Sequence, residues 1–150
     1  MRKEKAAGID HRGQVYNANA SIALLINDFL TRIYQNPIDA VEKSKNDTIN
    51  VLFETIGSGN AVIADDNSPT RNWLKQFNSK VAAVEMEASG ISSSFYETAA
   101  IDDSVKGLVI VRGISDLADV DKTMCKQYRM PAAQNAALVS KMLMEQFPEM

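Results

Sequence analysis

Two short aliphatic runs, each ending in carboxylates, constrain this chain more than any other feature. In the first, Val81-Ala82-Ala83-Val84 leads into Glu85-Met86-Glu87-Ala88-Ser89-Gly90. In the second, Leu108-Val109-Ile110-Val111 leads into Arg112-Gly113-Ile114-Ser115-Asp116-Leu117-Ala118-Asp119. A brief apolar run bounded by polar punctuation is the pattern of a buried strand in a parallel sheet. Acidic groups at the carboxyl ends of such strands fall where open α/β sheets bind their ligands.

The rest of the chain is read around those two runs. Met1 to Asn19 has no sustained period and holds Gly8 and Gly13, so it reads as irregular. From Ser21 to Tyr34, Ile22, Leu25, Ile26, Phe29 and Ile33 share one face of an amphipathic helix, with Ser21 as its N-cap. Gln35 to Asp47 is polar and contains Pro37, which fits a loop or a short turn over 38–43. Thr48 to Ile56 alternates Ile49, Val51 and Phe53 with polar partners and predicts a strand, followed by a Gly57-Ser58-Gly59-Asn60 turn. Ala61 to Ala64 comes next. Ser68-Pro69 then starts a helix to about Phe77 or Asn78 that buries Trp73, Leu74 and Phe77.

Beyond the Val81 to Val84 strand, Ala88 to Ala100 predicts a helix with Ile91, Phe95 and Thr98 or Ala99 inward. Val105 to Val111 is the next strand. A last helix opens at Met130 or Pro131 and runs to Phe147, with Ala133, Ala136, Ala137, Val139 or Ser140, Leu143 and Met144 on its apolar face and Pro148 as its stop. Helices and strands alternating in this way mark an α/β layered fold.

Bulk properties remove whole classes of function. A net charge of −3 gives no basic footprint for nucleic acid. No apolar run approaches the roughly 18 residues of a membrane span, and no signal peptide follows Met1. One cysteine, Cys125, and one histidine, His11, cannot make a zinc site or an internal disulfide. An intracellular protein without metal is the plain reading.

Three blocks together carry a resemblance. Gly57-Ser58-Gly59-Asn60-Ala61-Val62-Ile63, Val84-Glu85-Met86-Glu87-Ala88 and Ile114-Ser115-Asp116-Leu117-Ala118-Asp119 occur in this order. The chain resembles the purine and uridine phosphorylase superfamily, nearest its methylthioadenosine/S-adenosylhomocysteine nucleosidase branch, over Thr48 to Phe147. The resemblance implies a three-layer α/β/α fold with a central mixed sheet. It also implies cleavage of the N-glycosidic bond of a purine nucleoside or nucleotide, by an N-ribosyl hydrolase or a pentosyltransferase. No cofactor is implied beyond inorganic phosphate as co-substrate in a phosphorylase. A cytoplasmic homo-oligomer without nucleic-acid or membrane partners is the expected setting.

The site roles follow from the same resemblance. Glu87 binds the ribose 2′- and 3′-hydroxyls, Met86 packs on the sugar, and Glu85 belongs to the block without a settled role. Asp116 protonates the purine at N7, oriented by Ser115, while Val62 and Ile63 line the base. Val62 stands where nucleosidases often carry an aromatic ring. The chemistry is coherent, because glycosidic cleavage builds positive charge on the sugar, which a carboxylate favours. The departing base needs a proton, and an acid that supplies it near neutral pH must have a raised pKa.

Plainer readings compete with these. Asp116 and Asp119 can cap a helix or loop, and Glu87 can be a first-turn carboxylate held by a helix N-terminus. Arg112 can meet an anion or pair with Glu85, and the ion pair is preferred. The family carries about a hundred further residues ahead of these blocks, including its Gly-rich anion loop and its water-activating acid. The chain is therefore expected to be the carboxyl-terminal part of the fold: 1–47 as an irregular segment with one amphipathic helix, and 48–150 as the phosphorylase-like part. The alternative function is a catalytically incomplete relative that binds a nucleoside or acts in regulation or assembly.

Overall fold

The computed structural model describes residues 2–5, 8–11, 14–41, 47–59, 68–102, 107–116 and 124–147. Its elements run β1 (Arg2–Lys5), β2 (Gly8–His11), α1 (Ala20–Gln35), β3 (Thr55–Ser58), α2 (Pro69–Phe77), β4 (Val81–Glu85), α3 (Ala88–Ala99), a 3₁₀ helix (Met124–Tyr128) and α4 (Arg129–Met144). Helices and a parallel strand pair place it in the general α/β class. No helix among the described residues is long and apolar enough to cross a membrane.

The core lies between α1 and α4. Ile26, Phe29, Ile38, Val139 and Leu143 are buried together, with Ile22, Leu25, Ile33, Ile49, Val51, Val109 and Val111 packed around them. The apolar stripe read from the sequence of α1 therefore faces inward as expected. Its cap lies two residues earlier than expected, because Asn19, not Ser21, stands at the N-cap, and Asn19 Oδ1 accepts the Ser21 N–H at 2.8 Å. An asparagine side chain does this as well as a serine one. The stripe of α4 is as expected at Val139 and Leu143 and differs elsewhere. Ala132, Val139 and Leu143 are buried, whereas Ala133, Ala137 and Met144 face solvent. An alanine-rich helix gives a weak apolar contrast, so periodicity alone left its facing open.

Among the described residues the parallel sheet is smaller than the alternation suggested. β3 and β4 pair in parallel, with Gly57 opposite Val84 and Ser58 opposite Glu85. The strand expected over 48–56 is displaced to Thr55–Ser58, and the Gly57-Ser58 dipeptide expected as a turn lies inside it. Gly57 is buried there, and a Cβ on it would stand 3.3 Å from the Leu74 methyls, so α2 presses on the strand where a side chain is missing. Upstream, Thr48 makes an isolated bridge with Asp39, and Ile49 N–H donates to Ile38 O at 2.7 Å. Of the strand expected over Val105 to Val111, 105–106 lie outside the described residues and 107–111 form no ladder. Val109 and Val111 are nonetheless packed on the core, which explains why their aliphatic run looked strand-like.

Three further expectations are corrected. Residues expected to be irregular form the antiparallel hairpin β1–β2, with Arg2 opposite His11 and Lys5 opposite Gly8. Main-chain pairing in so charged a stretch leaves no apolar alternation to read. Helix α2 starts at Ser68-Pro69 as expected, but it buries nothing fully. Phe77 is largely exposed and stacks on Trp73 at 5.2 Å between ring centroids. In α3 the buried positions are Ala88 and Ser92, while Ile91 is 56% exposed. The small residues, not the larger Ile, are the ones withdrawn from solvent, and the Ser89 N–H at the start of the helix reaches Ser58 of β3.

Candidate functional site

A buried carboxylate organises the end of β4. Glu85 closes the strand, and its side chain retains 1% of its exposure. Its Oε2 accepts the backbone N–H of Glu87 at 2.7 Å and of Ala88 at 2.8 Å, which are first-turn donors of α3 without helical partners of their own. The same oxygen meets Arg112 Nη1 at 3.2 Å. Its other oxygen, Oε1, is buried with no partner in hydrogen-bond geometry. Burial pushes the carboxyl pKa up. The nearby Ser58 hydroxyl, the N–H groups of Ala88 and Glu87 and the Arg112 guanidinium outweigh that push, so Glu85 lies below its ordinary value and is ionised at neutral pH.

Arg112 joins the two sequence blocks. Its Nη1 stands 3.2 Å from Glu85 Oε2 and 3.2 Å from Glu87 Oε2. The pairing expected between Arg112 and Glu85 is present, and the contact to Glu87 adds a second carboxylate. Glu87 is the outward member, with 70% of its side chain exposed. One guanidinium between two carboxylates leaves the cluster with a net negative charge and a carboxylate facing solvent.

Arg112 is delivered by the segment 107–116, which two glycines hold close to the helices. A Cβ on Gly107 would lie 2.5 Å from Ile22 Cγ1 of α1, and one on Gly113 would overlap the Ala132 carbonyl of α4. Val111 packs on the core and Arg112, the next residue, points away from it to the carboxylates. Further along the segment, Ser115 Oγ donates to Asp116 Oδ2 at 3.3 Å, and both residues are half-buried.

Comparison of the chain with family models, with curated proteins and with solved structures found no match. The chemistry therefore rests on the residues themselves.

Of the residues singled out in the sequence, Glu85, Met86 and Glu87 form one turn at the strand end, with Met86 partly exposed. Arg112 links that turn to the segment that carries Ser115 and Asp116. Val62, Ile63 and Asp119 lie outside the described residues. Ser58 is a neighbour of this cluster that carries no signal in the sequence. Its Oγ accepts the Ser89 N–H at 2.9 Å across from β3 to α3, and nothing in a Gly-Ser-Gly stretch announces such a contact. A separate cavity of about 330 Å³ lies beside the other end of α3, against Phe95, Tyr96, Asn17 and Leu108. None of Glu85, Met86, Glu87, Ser115 and Asp116 lines it. Among the described residues no group of three His, Cys, Asp or Glu is placed to hold a metal ion.

Proposed function

We propose that this chain binds a purine nucleoside or nucleotide and takes part in cleaving its N-glycosidic bond, within a phosphorylase-like α/β fold. The observation that carries the reading is the Glu85–Arg112–Glu87 bridge, which gathers the two motifs around one exposed carboxylate. In this reading Glu87 accepts hydrogen bonds from the ribose 2′- and 3′-hydroxyls, with Met86 against the sugar. Asp116, held by Ser115, hands a proton to purine N7, and Val62 and Ile63 lie along the base. Glu85 has its own task. Two helix N–H groups and Arg112 occupy its Oε2, so it sets the floor of the site and leaves the sugar to Glu87.

The carboxylate facing the sugar supports the chemistry, because positive charge grows on the ribose as the C1′–N9 bond opens. The test is direct. Purified protein is incubated with adenosine, inosine, methylthioadenosine and ATP, with and without phosphate, and free base is measured. Base released only with phosphate identifies a phosphorylase, and base released without it a nucleosidase. Asp116→Asn should lower the rate on purine substrates by 10²-fold or more, the usual scale for a general acid. No base from any substrate ends the catalytic reading.

A second reading, nucleoside binding without turnover, has one observation in its favour. Arg112 lies against Glu87 and offsets part of the negative charge that a developing oxocarbenium ion would draw on. Calorimetric binding of adenosine with no base release in the same preparation identifies this case.

A further inference from the structure

Helix α3 is capped from outside itself. Glu87 stands at its N-cap, yet its side chain makes no capping hydrogen bond. A short polar side chain in that position ordinarily accepts the N–H two or three residues on, and the longer glutamate can fold back to the same donors. Here the N–H two residues on belongs to Ser89, and Ser58 Oγ of β3 already accepts it at 2.9 Å. The N–H groups of Glu87 and Ala88 are taken by Glu85 of β4. With those three donors occupied by neighbouring strands, and no cap bond to the Gly90 N–H either, the Glu87 carboxylate reaches Arg112 and solvent.

We propose that Ser58 is a positioning residue: by holding the Ser89 N–H from β3, it keeps the Glu87 carboxylate out of the helix terminus and turned toward Arg112 and a bound sugar. This rests on the reading of Glu87 as the sugar-binding carboxylate.

Two competing attractions decide where Glu87 lies. An unfilled N–H in the first turn, reinforced by the helix dipole, draws a nearby carboxylate. The alternative partner, Arg112, is 41% exposed, and exposed ion pairs hold weakly. A free Ser89 N–H would therefore compete with Arg112 for the carboxylate. Ser58 prevents the contest because its place is fixed by the sheet: it sits opposite Glu85 in the parallel register, and the Gly59 N–H donates to Glu85 O at 3.1 Å just beyond it.

Ser58→Ala, Ser58→Thr, Glu87→Gln and the double variant Ser58→Ala/Glu87→Gln test this on the full chain. In a crystal structure of Ser58→Ala, the Glu87 carboxylate should accept the Ser89 N–H and leave Arg112. Adenosine affinity, read by calorimetry, should fall about tenfold, the scale of a lost hydrogen bond to a charged group. Ser58→Thr, which keeps the hydroxyl, should restore it. In the Glu87→Gln background, removal of the Ser58 hydroxyl should change affinity no further, a result that general damage to the strand would not give. Should Ser58→Ala not fold, Ser58→Cys, with a weak sulfur acceptor, should show the same change in part. Glu87 still on Arg112 in the Ser58 variant, or an equal loss with and without Glu87, overturns the proposal. If the unaltered chain binds no adenosine, the nucleoside reading fails, and the position of Glu87 in the crystal still decides the role of Ser58.

Discussion

Glu85 and Arg112, 27 positions apart, meet at 3.2 Å with the glutamate buried and the arginine half in solvent. The glutamate is the member that the fold depends on. It satisfies two backbone donors of α3 as well as the guanidinium, whereas Arg112 can be hydrated if its partner is lost. Glu85→Ala should therefore destabilise the chain by about 2 kcal/mol, mostly through the uncapped helix terminus. Arg112→Gln should cost less than about 1 kcal/mol. Urea denaturation of both variants checks the order, and a larger loss for Arg112 would contradict it.

Acid should loosen the same end of the sheet. The Glu85 carboxyl lies below 4.5 in the folded chain and returns to its ordinary value on unfolding. The ionised form is thus favoured by folding, and its contribution is present above about pH 4.5. As pH falls through the lowered folded value, that contribution disappears. Thermal melts between pH 3 and pH 7 should show a stability slope in the acid range that Glu85→Gln flattens.

Gly113 is predicted to tolerate no side chain. An added methyl would meet the Ala132 backbone carbonyl, which cannot rotate away. Gly113→Ala should cost about 2 kcal/mol or more, as overpacking against a fixed wall does. Gly107→Ala meets only the Ile22 side chain, which can change rotamer, so its cost should be smaller. Denaturation midpoints of the two variants, compared directly, decide this.

Phe29 is 3% exposed at the centre of the α1–α4 core. Truncation to alanine should remove about 3 to 4 kcal/mol, the range for a buried ring. By contrast, Phe77→Ala should change stability by under about 1 kcal/mol, since that ring is largely in solvent and stacks only on Trp73.

The sequence was most legible where periodicity and packing agree. The α1 stripe of Ile22, Ile26, Phe29 and Ile33 is found on the core as read, and Ser68-Pro69 starts α2 where the cap chemistry places it. It was least legible in the sheet. Val109 and Val111 are apolar because they cover helices, and no local signal separates that from strand pairing, which depends on a distant partner. The candidate site shows the same division. Glu85, Glu87 and Arg112 stand out because charges beside aliphatic runs are unusual, and they do meet. Ser58 does not stand out, because a serine between glycines reads as a turn, and its contact to Ser89 spans 31 positions.

The separation between Glu85 and Arg112 also carries a consequence for the order of assembly. Glu85 meets the N–H groups of Glu87 and Ala88 within one local turn, which closes almost no loop. Arg112 must wait until its segment docks on α1 and α4, a closure with a larger entropic cost. The helix terminus should be formed in the transition state for folding and the guanidinium should arrive afterwards. In stopped-flow experiments Glu85→Ala should then slow folding, whereas Arg112→Gln should mainly quicken unfolding. The carboxylates would wait in place, and the cation that joins them would lock the motif pair last.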